Sequence, residues 1–124
     1  MGQRYAASGA NDTAIAYASD APNDLLGKAI TSGRNLWLRT AHFYNTDFER
    51  TVLILDQATT GATAAPANIR MRVRCASDAL TLVDIPAPGL KFSTACTVVL
   101  DGTADGTATG SFPVGSIGGA GYEE

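Results

Sequence analysis

Apolar and polar residues alternate along much of this chain with the two-residue period of a half-buried strand. The cleanest stretch is Asn68 to Cys75, where Ile69, Met71, Val73 and Cys75 alternate with Arg70, Arg72 and Arg74. Period two places the apolar residues on one face and the arginines on the other, as in an antiparallel sheet with one face open. Upstream, Arg34 to Tyr44 predicts a strand containing Leu36, Trp37, Leu38, Phe43 and Tyr44. A turn at Asn45-Thr46-Asp47 follows, then Thr51 to Leu55, a β-branched and apolar run expected to be buried on both faces. These two strands read as a hairpin. Ala79 to Asp84 predicts another strand after a Ser77-Asp78 turn, and Ile85 to Gly89 must leave the sheet because its two prolines remove ladder donors. Leu90 to Asp101 returns to strand, with Phe92, Cys96, Val98 and Leu100 on one face and Lys91, Ser93, Ala95 and Thr97 on the other. A last short strand is expected near Ser111 to Ile117. Leu25 to Thr31 lacks a clean period and fits either a strand or a helical turn capped by Asn23 or Asp24.

Six to eight short strands between turn clusters, with no long helix, predict an all-β antiparallel β-sandwich with a jelly-roll-like character. The expected organisation is an extended N-terminal arm over residues 1–24, a β-sandwich domain over 25–117 and a C-terminal tail over 118–124. Within the arm, Ala14 to Tyr17 has the composition of a short strand. Asp101 to Gly110 reads as a low-complexity loop.

Composition narrows the class. The chain has 124 residues, of which 45% are hydrophobic and 17% charged, enough for one packed domain. A net charge of -3 and a pI near 5.0 argue against a nucleic-acid partner. No apolar run approaches the ~20 residues that span a bilayer, and the start, Met1-Gly2-Gln3-Arg4-Tyr5, lacks a secretory apolar stretch. The expectation is a cytosolically made chain with no membrane partner.

Candidate chemistry is sparse. His42 stands mid-strand without a nucleophile or an orienting carboxylate nearby in sequence, so a strand histidine is expected rather than a catalytic one. Cys75 and Cys96 fall on apolar faces and are expected as buried thiols, although a disulfide between neighbouring strands stays open. Two cysteines with no histidine at ligand spacing do not make a zinc site. Asp101 and Asp105 lack the ligand spacing of a calcium loop and read as turn residues. No catalytic, metal or cofactor residues are therefore assigned. Arg70, Arg72 and Arg74 are candidates for a partner contact, with a solvated, cross-strand paired face as the alternative. Trp37 is a core residue or an interface anchor.

From residue 35 onward the order of elements is familiar. Leu36 to Thr46 ends in Asn-Thr. Glu49 to Thr59 ends in Asp-Gln-Ala-Thr, and a Gly/Ala/Pro loop precedes the arginine strand. Gly89 to Leu100 reads Gly-Leu-Lys-Phe-Ser-Thr-Ala-Cys-Thr-Val-Val-Leu. This order resembles small β-sandwich head decoration, or capsid cement, proteins of tailed bacteriophages. Ala95 and Cys96 stand where that group has Gly and Leu, Leu55 where an aromatic is common, and residues 1–34 and the end of the chain lie outside the match. The resemblance implies a non-enzymatic virion protein that binds the outer surface of the major capsid protein lattice, assembles as a homotrimer and is made in the host cytoplasm. A receptor- or carbohydrate-binding module of a phage fibre is the alternative reading.

Overall fold

The structure is a computed structural model that describes residues 4–8, 23–26, 29–45, 49–58, 66–100 and 117–124. Nine strands run through these residues: β1 (Arg4–Ser8), β2 (Asn23–Asp24), β3 (Leu36–Asn45), β4 (Arg50–Asp56), β5 (Ile69–Cys75), β6 (Ala79–Asp84), β7 (Leu90–Phe92), β8 (Cys96–Leu100) and β9 (Ile117–Glu123). All pairings are antiparallel. The first sheet has the order β1-β9-β3-β6, with β7 sharing the β6 side of β3, and the second has the order β2-β8-β4-β5. The chain is an all-β sandwich, as the alternation predicts.

The core lies between the sheets. The first contributes Leu36, Leu38, Ala41 and Phe43 from β3, Phe92 from β7 and Ile117 from β9. The second contributes Val52 and Ile54 from β4, Val73 and Cys75 from β5, and Cys96 and Val98 from β8. Leu25 and Leu26, in a stretch whose sequence left its structure open, form a bend whose side chains complete this core. Fully burying a side chain such as Phe43 or Phe92 contributes on the order of 2 kcal/mol each. β4 is buried along its whole length, because Leu53 and Leu55 join Val99 and Ile69 in a second apolar cluster on its other face.

Four expectations change. The expected hairpin of β3 and β4 does not form, since β3 pairs with β6, β7 and β9 while β4 pairs with β5 and β8 in the opposite sheet. The run from Leu90 splits into β7 in the first sheet and β8 in the second, with a bend at Ser93-Thr94 between them. Residues 118–124 are not a tail, because β9 lies between β1 and β3 in the first sheet. Of the expected arm, Arg4–Ser8 is paired as β1 along β9, and Asn23–Asp24 as β2 along β8. The possible strand at 14–17, the loop at 101–110 and the expected strand at 111–116 lie outside the described residues.

Two bulges reset the side-chain phase, which strict alternation does not foresee. In β3, Leu38 is opposite Gly121 and Thr40 opposite Ala120, leaving Arg39 as the extra residue. In β5, Met71 is opposite Ile54 and Ile69 opposite Leu55, leaving Arg70 extra. Ile69 therefore packs with the outer cluster, while Met71, Val73 and Cys75 face the core.

The cysteine question is answered by register. Cys75 is opposite Arg50 and Cys96 opposite Asp56, at the two ends of β4. Six residues of strand separate them by about 20 Å along the strand, well beyond the ~7 Å Cα limit of a disulfide. Both cysteines are buried and neither is in a disulfide. Burial pushes the Cys75 thiol pKa up, with a hydrogen bond to Thr81 pulling partly back. Both cysteines are expected to react with a thiol reagent only as fast as the fold opens. A fast-reacting thiol in the native protein would contradict this placement.

Candidate functional site

The densest polar site among the described residues is the corner where β4 ends. Its centre is Asp56, whose side chain is 5% exposed. One carboxylate oxygen, Oδ1, accepts from the backbone N–H of Thr94 at 2.7 Å and of Ala95 at 3.1 Å. The other, Oδ2, accepts from the Ser93 N–H and the Ser93 hydroxyl, each at 3.1 Å. Arg70 Nη2 lies 3.5 Å from the same oxygen. Burial raises the Asp56 pKa, but the backbone donors of Ser93, Thr94 and Ala95 and the Ser93 hydroxyl outweigh it and hold the pKa below the ordinary aspartate value. The carboxylate thus fixes the turn that carries the chain from β7 in one sheet to β8 in the other.

Neighbouring polar groups extend the corner. The Thr97 hydroxyl, fully buried, donates to the Gln57 carbonyl at 2.8 Å, and Asn68 Nδ2 donates to Gln57 Oε1 at 3.2 Å. At the far end of β3, Asn45 is 1% exposed and its Nδ2 donates to the carbonyls of Cys75 at 3.4 Å and Ala76 at 3.1 Å. That contact ties β3 to the crossover from β5 to β6. Two of the stretches that carry the resemblance therefore meet in space, since Asp56 of Asp-Gln-Ala-Thr holds Ser93 and Thr94 of Phe-Ser-Thr, while Asn45 of Asn-Thr holds a separate crossing at Cys75 and Ala76. Both contacts supply hydrogen-bond partners to backbone groups at turns and strand ends.

The arginine row lies along β5, the last of the described strands on its side of the second sheet. Its members have different surroundings. Arg70 is half-drawn into the Asp56 corner and its Nη1 also donates to the Ala67 carbonyl at 3.4 Å. Arg74 Nε donates to Glu49 Oε1 at 2.6 Å, and that hydrogen bond and charge lower the Glu49 pKa and raise that of Arg74. Both partners are exposed, so the pair adds little to stability. Arg72 is exposed and lies opposite Leu53 in the ladder.

Trp37 belongs to the other sheet. It is half-buried on the outer face of β3, with Lys91 and Tyr122 as its cross-strand neighbours. Lys91 Nζ stands 5.9 Å from the centre of the indole ring, within cation–π range. Lys91 also lines a 430 Å³ cleft with Asp56, Arg70, Leu90 and Ser93. The arginine row and Trp37 therefore do not share one face, although this cleft at the sandwich edge links Arg70 to the lysine beside Trp37.

His42 is half-buried on the outer face of β3, with Leu82 and Gly118 as its cross-strand neighbours. Among the described residues no group of three or more His, Cys, Asp or Glu side chains is arranged to hold a metal ion, and no helix is long and apolar enough to cross a membrane. Sequence reading missed one surface feature. Leu80 and Leu82 of β6 are 53% and 73% exposed, and Tyr44 beside them is 44% exposed. The alternation of Ala-Leu-Thr-Leu-Val-Asp signals a strand but does not say which face is turned inward. Comparisons with protein-family models, with curated proteins and with solved structures find no match to this chain.

Proposed function

We propose that this chain is a structural protein of a bacteriophage head, a decoration or cement protein. In this reading it binds the outer surface of the major capsid protein lattice as a homotrimer, stabilises the head and performs no catalysis. It is made in the host cytoplasm and carried on the virion. The observation that supports the reading most is the joining of the resemblance motifs. Asp56 and Ser93 to Ala95, from two of those motifs, form one fold lock, and Asn45 from a third forms a separate lock on Cys75 and Ala76. A small sandwich with two sheet faces also suits lattice binding, because many symmetric copies make modest contacts add up.

Two measurements test it. Mass spectrometry of purified mature heads is expected to find the chain in fixed stoichiometry with the capsid protein. The purified chain is expected to bind heads that lack it and to raise their resistance to heat. Its absence from mature heads sinks the reading. The fibre-module alternative is favoured by one observation, the half-buried Trp37 and Tyr122 side by side on an outer sheet face. A carbohydrate ligand there would shift Trp37 fluorescence, and a glycan panel without such a shift removes that alternative.

A further inference from the structure

We propose that the outer edge of β6 is a docking strand for an extended segment of another protein, one with apolar residues at alternate positions and a basic residue at each end. The inference is independent of the capsid reading.

β6 turns Val83 toward the core but both of its leucines away from it. A strand with one face on the core turns its apolar residues inward. Here Leu80 and Leu82 point to solvent while Thr81 is half-buried. In the ladder with β3, Leu80 is opposite Tyr44 and Leu82 opposite His42, so the exposed leucines continue an apolar row on the outer face. Among the described residues β6 pairs with β3 along one side and is the last strand on that side of the sheet. No described residue pairs with its other side, which there offers a row of main-chain donors and acceptors. Natural edge strands are commonly blunted by lysine, proline or a bulge. Ala79 to Asp84 contains no lysine, proline or glycine, and its pairing with β3 is unbroken. Three exposed side chains cover far less than the ~800 Å² per partner of a standard interface, so main-chain pairing must supply much of the affinity.

Charge selects the occupant. Asp78 precedes the strand and Asp84 ends it, both exposed. A second copy adding through the same edge would use a two-fold axis perpendicular to the sheet, which keeps the outer faces together. The register that pairs Leu80 with Leu82 on both sides is then centred on Thr81, and it brings Asp78 of each copy, in the turn just before the strand with φ 52°, close to Asp84 of the other. Shifting the centre to Leu80 or Leu82 sets a leucine against an aspartate instead. Like charges directly opposite are destabilising, and opposite charges are favourable. The edge is therefore matched to a strand that carries a cation at each end and apolar side chains between.

The test is an NMR titration of the isotope-labelled full chain with the capped peptide Lys-Thr-Val-Thr-Val-Thr-Lys and its counterpart ending in Glu. The lysine-ended peptide is expected to shift amides of residues 79–84 and 40–45, with affinity at least tenfold above that of the Glu-ended peptide. Leu82→Lys, at an exposed position, is expected to keep the spectrum of the rest of the fold and lose the response. Asp84→Lys is expected to reverse much of the preference between the two peptides. Three results overturn the proposal: no shifts up to the solubility of the lysine-ended peptide, equal response to both peptides, or retention of the response in Leu82→Lys. Self-association of the wild-type chain that Leu82→Lys abolishes, seen by sedimentation velocity, assigns the edge to a second copy instead.

Discussion

Asp56→Ala is expected to destabilise the protein by about 3–5 kcal/mol, since it removes the acceptors of several donors and one side of an ion pair at once. Three backbone N–H groups, the Ser93 hydroxyl and the Arg70 guanidinium converge on this carboxylate. Alanine leaves the turn between β7 and β8 without its anchor and Arg70 without its counter-charge. Asp56→Asn separates shape from charge: it keeps the size but replaces one acceptor oxygen with a donor that faces other donors. The pH dependence has a definite sign. The folded-state pKa lies below the ordinary value of 3.8, so the unfolded chain binds the proton more readily. The stabilisation is fully present above the unfolded value and is lost as pH falls through the folded one. Urea unfolding at neutral pH should separate wild type from Asp56→Asn clearly, and the gap should narrow below pH 4, in the range where aspartate protonates. Equal midpoints at neutral pH would show that the corner holds without the carboxylate.

Deleting residues 117–124 is expected to abolish the fold, an effect larger than any single substitution discussed. β9 pairs with β1 on one side and β3 on the other, and Ile117 sits in the core. The end of the chain is held further by reciprocal backbone bonds between Asn35 and Glu124, at 3.0 and 2.9 Å, and by Thr31 N–H donating to buried Glu123 Oε1 at 3.2 Å. Gly121→Val probes the same strand without truncation. A Cβ at Gly121 would lie 2.5 Å from the Trp37 carbonyl oxygen, and one at Gly119 would press on the Thr40 carbonyl oxygen. The neighbouring atoms are backbone of β3 and cannot swing aside, so the cost is expected to reach about 3 kcal/mol or more. Circular dichroism should show no cooperative thermal transition for the truncated chain and a strongly lowered Tm for Gly121→Val. A tail would tolerate both changes with Tm unmoved.

The same glycines explain why the end of the chain reads as a tail. Gly118-Gly119-Ala120-Gly121 has poor strand propensity, because glycine gives up the most backbone freedom and brings no side chain to pack. Close approach to the bulged backbone of β3 reverses that preference, and nothing local in the sequence announces it. The polar corner was legible in part. Asp56, Ser93 and Asn45 lie in stretches that the resemblance singles out, but their roles as anchors of turn and crossover depend on contacts 30 to 39 residues apart. The arginine row was legible as a face and not as a set of contacts. The bulge at Arg70 and the position of Asp56 draw one arginine into the corner, while Glu49 pairs with another.

The sequence alone specifies short antiparallel strands with an apolar face, because alternation, proline and turn residues act within a few positions of one another. It also specifies that β4 is buried on both faces, since a run of Val-Leu-Ile-Leu leaves no polar side. Packing in three dimensions sets which strands share a sheet, where bulges reset the phase, that a glycine-rich stretch lies inside a sheet, and that β6 shows its leucines to solvent. Each of those depends on what packs against a strand from far along the chain, and period two alone cannot tell one face of a strand from the other.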